Sequence, residues 1–401
     1  MKPRHLAMLT LLGNGHVYPT LPLCTELTRR GHRVTYVSNE HYASVVSAAG
    51  GEPVIYSPPP LPAESEQEMV GSLSLSSDDP RLSRVASLWR AYKLADTTAT
   101  LEQIEGFYCT DPPDLVLYDR PQYAGRILAK RLGVPAVQTS AHFAYYMNQI
   151  ARRQGVCGNP QIYIEHSNSL DEFMRSYGIT QTGTLWHTEK LNIHFIPRMF
   201  QHNIEWFDER FCFTGSLLGR PFTPSWNDRS SGRPVILISG ISMLNDTKRN
   251  SCATYFGPFV DGLADLPYHF ILSIAEESFD RPLPANFELN RRASHLEILP
   301  RAALAICHGG MTSTLEALYH GVPVLMFPQS ERCDEVAYRT EELGLGVRLR
   351  NIGPSAEVVR ETVTGMMEND ALRSRVEASS KAFRSSGGVA LAADRIEDFL
   401  C

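Results

Sequence analysis

Apolar runs of strand length alternate with helix-length segments twice along this chain, and a stretch rich in glycine, proline and serine separates the two series. HLAMLTLL, a helix expected from about Pro19 to Arg30, and HRVTYVSN make one βαβ unit; DLVLYD, a helix around Ala124 to Leu132, and VPAVQTS make another. Strands joined through helices pair in parallel, because a parallel neighbour is reached only by a crossover. The second series runs through VILISG, YHFILSI, LAICHGG and PVLMFP to a final helix from about Ala390 to Phe399. Between them GSLLGRPFTPSWNDRSSGRP has no periodicity and reads as a linker. The expected fold is therefore α/β, with two doubly wound Rossmann-like domains facing a central cleft. Their expected bounds are residues 1–215 and 234–401, joined by a linker at 216–233, with the last helix free to pack back on the first domain. Domains of this kind take ligands at the carboxyl ends of their strands.

At 401 residues the chain is long enough for two such cores. A net charge of -6 carries no basic footprint, so nucleic acid is not an expected partner. The eight cysteines are scattered without a Cys-x-x-Cys pair, which fits free thiols in the cytoplasm better than a zinc ribbon or redox motif. LAMLTLL is too short to span a bilayer and lacks a small-residue cleavage site, so neither a signal peptide nor an integral membrane segment is expected. The low-complexity piece from Ser57 to Pro80 reads as a mobile loop.

Two stretches carry chemistry. In AICHGGMTSTLEALYHGVPVLMFPQS, a short buried strand (Ala302 to Cys307) precedes His308, Gly309 and Gly310, and a helix follows from about Ser313 to Gly321. Glycines allow a tight turn there, and the hydroxyls of Thr312, Ser313 and Thr314 stand at the helix start. Free N–H groups and hydroxyls at a helix N-terminus suit an anion, phosphate above all. The plainer alternative is a turn followed by a hydroxyl cap. The second stretch is LLGNGHVYP, which puts His16 in the loop after the first strand, with Pro19 opening a helix. Asp119 ends DLVLYD at the same sheet edge, where a carboxylate can reach the imidazole, fix its tautomer and stabilise it once protonated. Against this, a loop histidine can simply be solvated, and Asp119 can cap the next helix.

GHVYP, PDLVLYD, the linker and HGGMTSTLEAL with GVPVLMFPQ together resemble the inverting GT-B glycosyltransferases of the bacterial macrolide and natural-product type, which are similar to plant and animal UDP-glycosyltransferases. The likeness covers nearly the whole chain and is most specific from His308 to Gln329. It implies that His16 is the base that removes the acceptor's hydroxyl proton, with Asp119 orienting and balancing it. It further implies that His308, Gly310, Thr312 and Ser313 hold the diphosphate, that Glu316 takes the ribose hydroxyls, and that Ser242 is a donor-side hydroxyl. No cofactor or metal is implied. The co-substrate would be a UDP-sugar or dTDP-sugar, and the chain has no Asp-x-Asp pair.

Departures accompany the matches. Where the family stacks a tryptophan on the base, this chain has Arg292-Ala293-Ser294-His295, and a guanidinium plane can stack there instead. The acidic residue and glutamine that hold sugar hydroxyls fall on Arg332-Cys333, unless Glu331 or Asp334 takes over. HFAYYMNQ, with His142, Tyr145 and Tyr146, and Trp186, Phe195, Phe200 and Trp206 could line an apolar acceptor pocket or be core aromatics. Three functions fit: transfer of a sugar to a small apolar natural product by a monomer or homodimer, a nucleotide-sugar epimerase, and a non-catalytic nucleotide-sugar-binding partner.

Overall fold

A computed structural model describes residues 2–60, 81–145, 160–181, 183, 187–218, 226–240, 250–274, 281–290, 294–328, 330–349 and 353–401. Most of the expected mobile loop, residues 61–80, lies outside them. The chain divides into two units, Met1–Pro221 with Ser386–Cys401, and Phe222–Ser385.

In the first unit the elements run β1 (His5–Leu9), α1 (Asn14–Arg29), β2 (Arg33–Ser38), α2 (Glu40–Ala48), β3 (Glu52–Ile55), α3 (Arg81–Thr110), β4 (Leu115–Asp119), α4 (Tyr123–Leu132), β5 (Ala136–Ser140), α5 (Pro160–Ser176), β6 (Asn192–His194) and β7 (Phe211–Phe213). The second unit holds β8 (Val235–Ser239), α6 (Asn250–Leu263), β9 (His269–Ser273), β10 (Phe287–Asn290), α7 (His295–Ile298), β11 (Ala302–Cys307), α8 (Met311–Tyr319), β12 (Val324–Met326), α9 (Glu331–Glu342), β13 (Gly346–Arg348), α10 (Ala356–Met367) and α11 (Asp370–Arg384). The last helix, α12 (Gly388–Leu400), belongs to the first unit, where it packs on α1.

All described strand pairs are parallel. The first sheet has the order β3-β2-β1-β4-β5-β6-β7 and the second β10-β9-β8-β11-β12-β13. Each order reverses direction once, between β1 and β4 and between β8 and β11, so each sheet has one switch point with a crevice at its carboxyl edge.

Why the strands read as unbroken apolar runs is visible in β1. Leu6 and Met8 enter the core under α1 and α12, while Ala7 and Leu9 enter the core under α3, α4 and α5. With helices on both faces, neither side of the strand meets water. Gly125 permits the tightest of these contacts, since a Cβ there would lie 2.3 Å from the Tyr118 Cβ, and so α4 lies directly on β4.

Helix α1 begins earlier than expected. It starts at Asn14, with Gly13 as an extended N-cap, and contains both Pro19 and Pro22. His16 therefore occupies the first helical turn and not a loop. An interior proline costs about 3 kcal/mol or more through its missing N–H and ring clash. Its φ nonetheless suits a helix, and the burial of Val17, Leu21, Leu23 and Leu27 on this face offsets the loss.

Gly125→Ala should destabilise the protein by about 1–3 kcal/mol, the usual cost of overpacking. Urea denaturation measures this, and an unchanged midpoint would contradict the close α4–β4 contact.

Candidate active site

Both ends of the first switch point carry polar side chains. Asp119 is the last residue of β4, is 4% exposed, and lies beside the chain that leaves β1 for α1. Its Oδ2 is 2.6 Å from His16 Nδ1. A carboxylate only accepts, so Nδ1 carries the proton and Nε2 is left with its lone pair free to accept one.

The surrounding hydrogen bonds hold this pair in place. Gln122 N–H donates to the Asp119 carbonyl at 2.7 Å, and its side-chain amide donates to the Thr10 carbonyl at 3.4 Å, tying the end of β4 to the end of β1. The Thr10 and Thr20 hydroxyls lie 3.0 and 2.7 Å from the buried Tyr36 hydroxyl, whose pKa burial pushes well above the ordinary phenol range. These residues carry no motif, so nothing in the sequence marks them; they are found only through the pairing of β1 with β2 and β4.

At the end of β5 the His142 ring lies 5.9 Å from the His16 ring. The His142 carbonyl accepts from His194 Nδ1 at 2.9 Å. Burial lowers the His194 pKa to about 4, so that ring is neutral. Tyr145 lies under the Arg120 guanidinium, 5.0 Å from its ring centroid. Tyr146 and Trp186 lie outside the described residues. Phe195 and Phe200 are 4% and 0% exposed and belong to the core, which is the second of the two readings left open for these aromatics. Phe200 stacks on Phe143, centroids 5.6 Å apart, because a ring with neighbours on both faces is more stable there than at a wet surface. Trp206 remains partly exposed.

In the second unit β11 ends at Cys307, and His308, Gly309 and Gly310 lead into α8. Gly309 has φ +82, and a Cβ on it would come within 2.7 Å of the Cys333 carbonyl oxygen, so only glycine fits. A Cβ on Gly310 would lie 2.7 Å from His308 Nε2. The loop is thus pressed between the His308 ring and the start of α9.

Gly310 is the N-cap of α8 and no side chain caps it, which corrects the expectation of a hydroxyl cap. The helix starts two residues early, so Thr312 and Ser313 stand in its first turn with unneeded hydroxyls, while Thr314 turns inward to Cys307 Sγ at 3.8 Å. Glu316 sits one turn beyond Ser313, on the same face, and is 4% exposed. Burial pulls the His308 pKa down to about 4, and its Nδ1 is buried without a hydrogen-bond partner. At neutral pH this ring offers a hydrogen bond, not a charge.

Of the remaining candidates, Ser242 and Arg292 lie outside the described residues. His295 opens α7, where Ser294 and Glu297 form a capping box, and its Nε2 is 3.0 Å from the Ser273 hydroxyl at the end of β9. Arg332 is exposed on α9. Asp334 accepts from Arg348 Nη2 at 2.6 Å and so fastens α9 to β13. Among the described residues no three His, Cys, Asp or Glu side chains gather as a metal site, and no helix is long and apolar enough to cross a membrane.

Two doubly wound parallel sheets, each with polar side chains gathered beside its switch point, have the architecture of the GT-B class of enzymes. Residues 259–385 match the family described as the erythromycin biosynthesis protein CIII-like C-terminal domain. The chain is 32% identical to the NDP-glycosyltransferase YjiC of Bacillus licheniformis, over 100% of this chain and 98% of that protein. It is 28% identical to the oleandomycin glycosyltransferase of Streptomyces antibioticus, over 98% and 90%. The crystal structure of CalG4, the calicheamicin glycosyltransferase, matches with a TM-score of 0.80 and 32% identity over 100% of this chain and 99% of that one. The chain belongs to the NDP-glycosyltransferase family, and its co-substrate is a nucleotide sugar. Such relatives lend no support to the epimerase alternative.

Among the histidines whose pKa is lowered, His194 and His308, the two brought down to about 4 by burial, have a consequence for stability. In the unfolded chain each binds a proton below about 6.5. In the folded chain His194 and His308 do so only below about 4. Between those values the unfolded state holds more protons, so their contribution is fully present above the upper value and is lost as pH falls through the window. The thermal midpoint should drop between pH 7 and pH 5, and less steeply in His194→Asn. An equal drop in that variant would contradict a neutral, buried His194.

Proposed function

We propose that the chain is an inverting transferase that moves a sugar from a UDP-sugar or dTDP-sugar to a hydroxyl of a small, largely apolar natural product. The observation that carries this reading is the 2.6 Å contact of His16 with Asp119 at the carboxyl edge of adjacent strands. His16 Nε2 takes the hydroxyl proton as the acceptor oxygen bonds to the anomeric carbon from the face opposite the leaving group. The bond from that carbon to the diphosphate oxygen breaks, and its electrons leave with the nucleoside diphosphate. The proton remains on His16, where the buried carboxylate of Asp119 balances it in surroundings that screen poorly. The acceptor lies in the first unit, residues 1–215 as read from the sequence, with His142 and Tyr145 at its edge. Among the relatives, the oleandomycin glycosyltransferase is named for a macrolide, which supports an acceptor of that general kind.

The donor lies in the second unit. The uncapped N-terminus of α8, the Thr312 and Ser313 hydroxyls, the close backbone at Gly310 and the unpartnered His308 nitrogen together suit a diphosphate. These groups stabilise the departing charge without a metal. Glu316 then takes the ribose hydroxyls. Arg332 is exposed on α9, and it or its neighbours Glu331 and Asp334 would meet the sugar. A cytoplasmic monomer or homodimer fits this chemistry, and the described cysteines are free thiols. The contact between His16 and Asp119 argues against a merely binding role.

His16→Ala should lower turnover by at least about a hundredfold, the low end of general-base contributions, with nucleotide binding unchanged. Asp119→Asn should lower turnover less, because the imidazole survives. Full turnover of His16→Ala with a panel of nucleotide sugars and aglycones would refute the mechanism.

Calorimetric titration tests the other unit. Glu316→Ala should weaken uridine diphosphate more than thymidine diphosphate, whose deoxyribose offers one hydroxyl fewer. Equal effects on both nucleotides would place Glu316 outside the ribose site.

A further inference from the structure

We propose that Lys93 is a further positioning residue for the transfer read above: paired with Asp96, it keeps a second buried carboxylate from drawing a proton onto His16, so that Nε2 stays free in the resting enzyme. This rests on the reading of His16 as the base. The strand register places the groups. Leu9 of β1 lies opposite Val37 of β2 and Tyr118 of β4, and Ser38 lies opposite Ile55 of β3. Strands β2, β3 and β4 therefore end at one level, with Asp119 on it and Tyr56 one residue beyond. Helix α3 runs antiparallel to them, since its Tyr108 hydroxyl meets that of Thr35 in β2 at 3.0 Å, while Asp96, earlier on the helix, accepts from the Tyr56 hydroxyl at 3.2 Å. Asp96 and Lys93 thus stand at the carboxyl edge that carries His16 and Asp119.

Lys93 and Asp96 are 8% and 2% exposed. Lys93 Nζ donates to Asp96 Oδ2 at 3.4 Å, its one hydrogen bond among the described residues. Charges this deep are costly to bury singly and are tolerated as a pair. Burial pulls the ammonium below the ordinary lysine range, and two carboxylates, Asp96 and, from the end of β4, Asp119, pull it back up.

The charge balance gives the pair its effect. With His16 neutral, Asp119, Asp96 and Lys93 sum to a single negative charge, and a proton on His16 brings the group to neutrality. Without the ammonium a negative charge would remain even after His16 is protonated, so the imidazolium would be favoured and the base lost near neutral pH. Other groups nearby do not alter this. Tyr36 on β2, Tyr56 after β3 and Tyr92 on α3 are pushed above the ordinary phenol range by burial and stay neutral. Glu26, Asp394 and Glu397 pair with Arg30, at the far end of α1. Arg126 and Asp171 act on each other, and neither acts on Lys93. Tyr18, Arg120, His142 and the exposed Glu40 and His41 of α2 are the same in every variant below, so a shift between variants does not come from them.

Nuclear magnetic resonance titration of the histidine rings in the full chain, with the His16 signal identified by its loss in His16→Ala, tests this alongside the pH profile of kcat/KM. Lys93→Met should raise the midpoint of the His16 titration, and with it the acid limb of the profile, by roughly half a unit to one unit, the effect of one poorly screened charge. Asp96→Asn should move both the other way, because it strips the counter-charge and leaves the ammonium. The two substitutions together should return the midpoint close to the parent's. A merely structural pair would not send its two single variants in opposite directions. An unmoved or lowered midpoint in Lys93→Met overturns the proposal; if that variant does not fold, an unmoved or raised midpoint in Asp96→Asn overturns it instead. A midpoint that moves as stated while the acid limb stays fixed upholds the coupling of Lys93 to His16 and strikes the reading of His16 as the base.

Discussion

The hydrogen bond between His16 and Asp119 depends on one topological fact, the parallel pairing of β1 with β4, in which Leu9 lies opposite Tyr118, 109 positions further along the chain. That pairing brings the end of β4 beside the turn into α1. It also creates the switch point, because α1 leaves β1 toward one face of the sheet while α3 and α4 cover the other. If β1 and β4 were not neighbours, a histidine in the first turn of α1 and a carboxylate at the end of β4 would have no reason to meet. Gln122 and the Tyr36 hydroxyl network then keep the meeting point rigid.

The second unit solves a different problem with similar parts. There the groups at the switch point are mostly backbone: a left-handed Gly309 wedged against Cys333, a bare Gly310, and the uncapped first turn of α8. Such a site offers oriented N–H groups and one neutral imidazole, which favour an anion through dipoles. Stabilisation of this sort needs no reorganisation as a leaving group acquires charge. The division of labour is chemical: a titratable pair in the first unit, fixed dipoles in the second.

Much of this was legible in the sequence, for identifiable reasons. Unbroken apolar runs such as DLVLYD announce strands covered on both faces, and Gly321 after Tyr319 announces a helix end, where the structure has φ +76. Local signals failed where tertiary burial overrode them. Pro19 usually opens a helix, yet here it is interior because its face of α1 is buried. Thr312 and Ser313 resemble caps, yet Gly310 takes the cap position. The bond of Asp334 to Arg348, 14 residues further along, is a tertiary contact that no local signal announces. Lys93 was the least visible, since a lysine in a helix ordinarily reaches water, and nothing in the sequence shows that its ammonium is buried at the carboxyl edge.

The account stands on a single displacement at the anomeric carbon, driven by His16. The most direct measurement is the anomeric configuration of the product, read by proton nuclear magnetic resonance after transfer from a nucleotide sugar of known α configuration. A β-linked product is the result the account requires. An α-linked product would mean that the sugar leaves and is captured on the same face, which the His16–Asp119 mechanism does not allow.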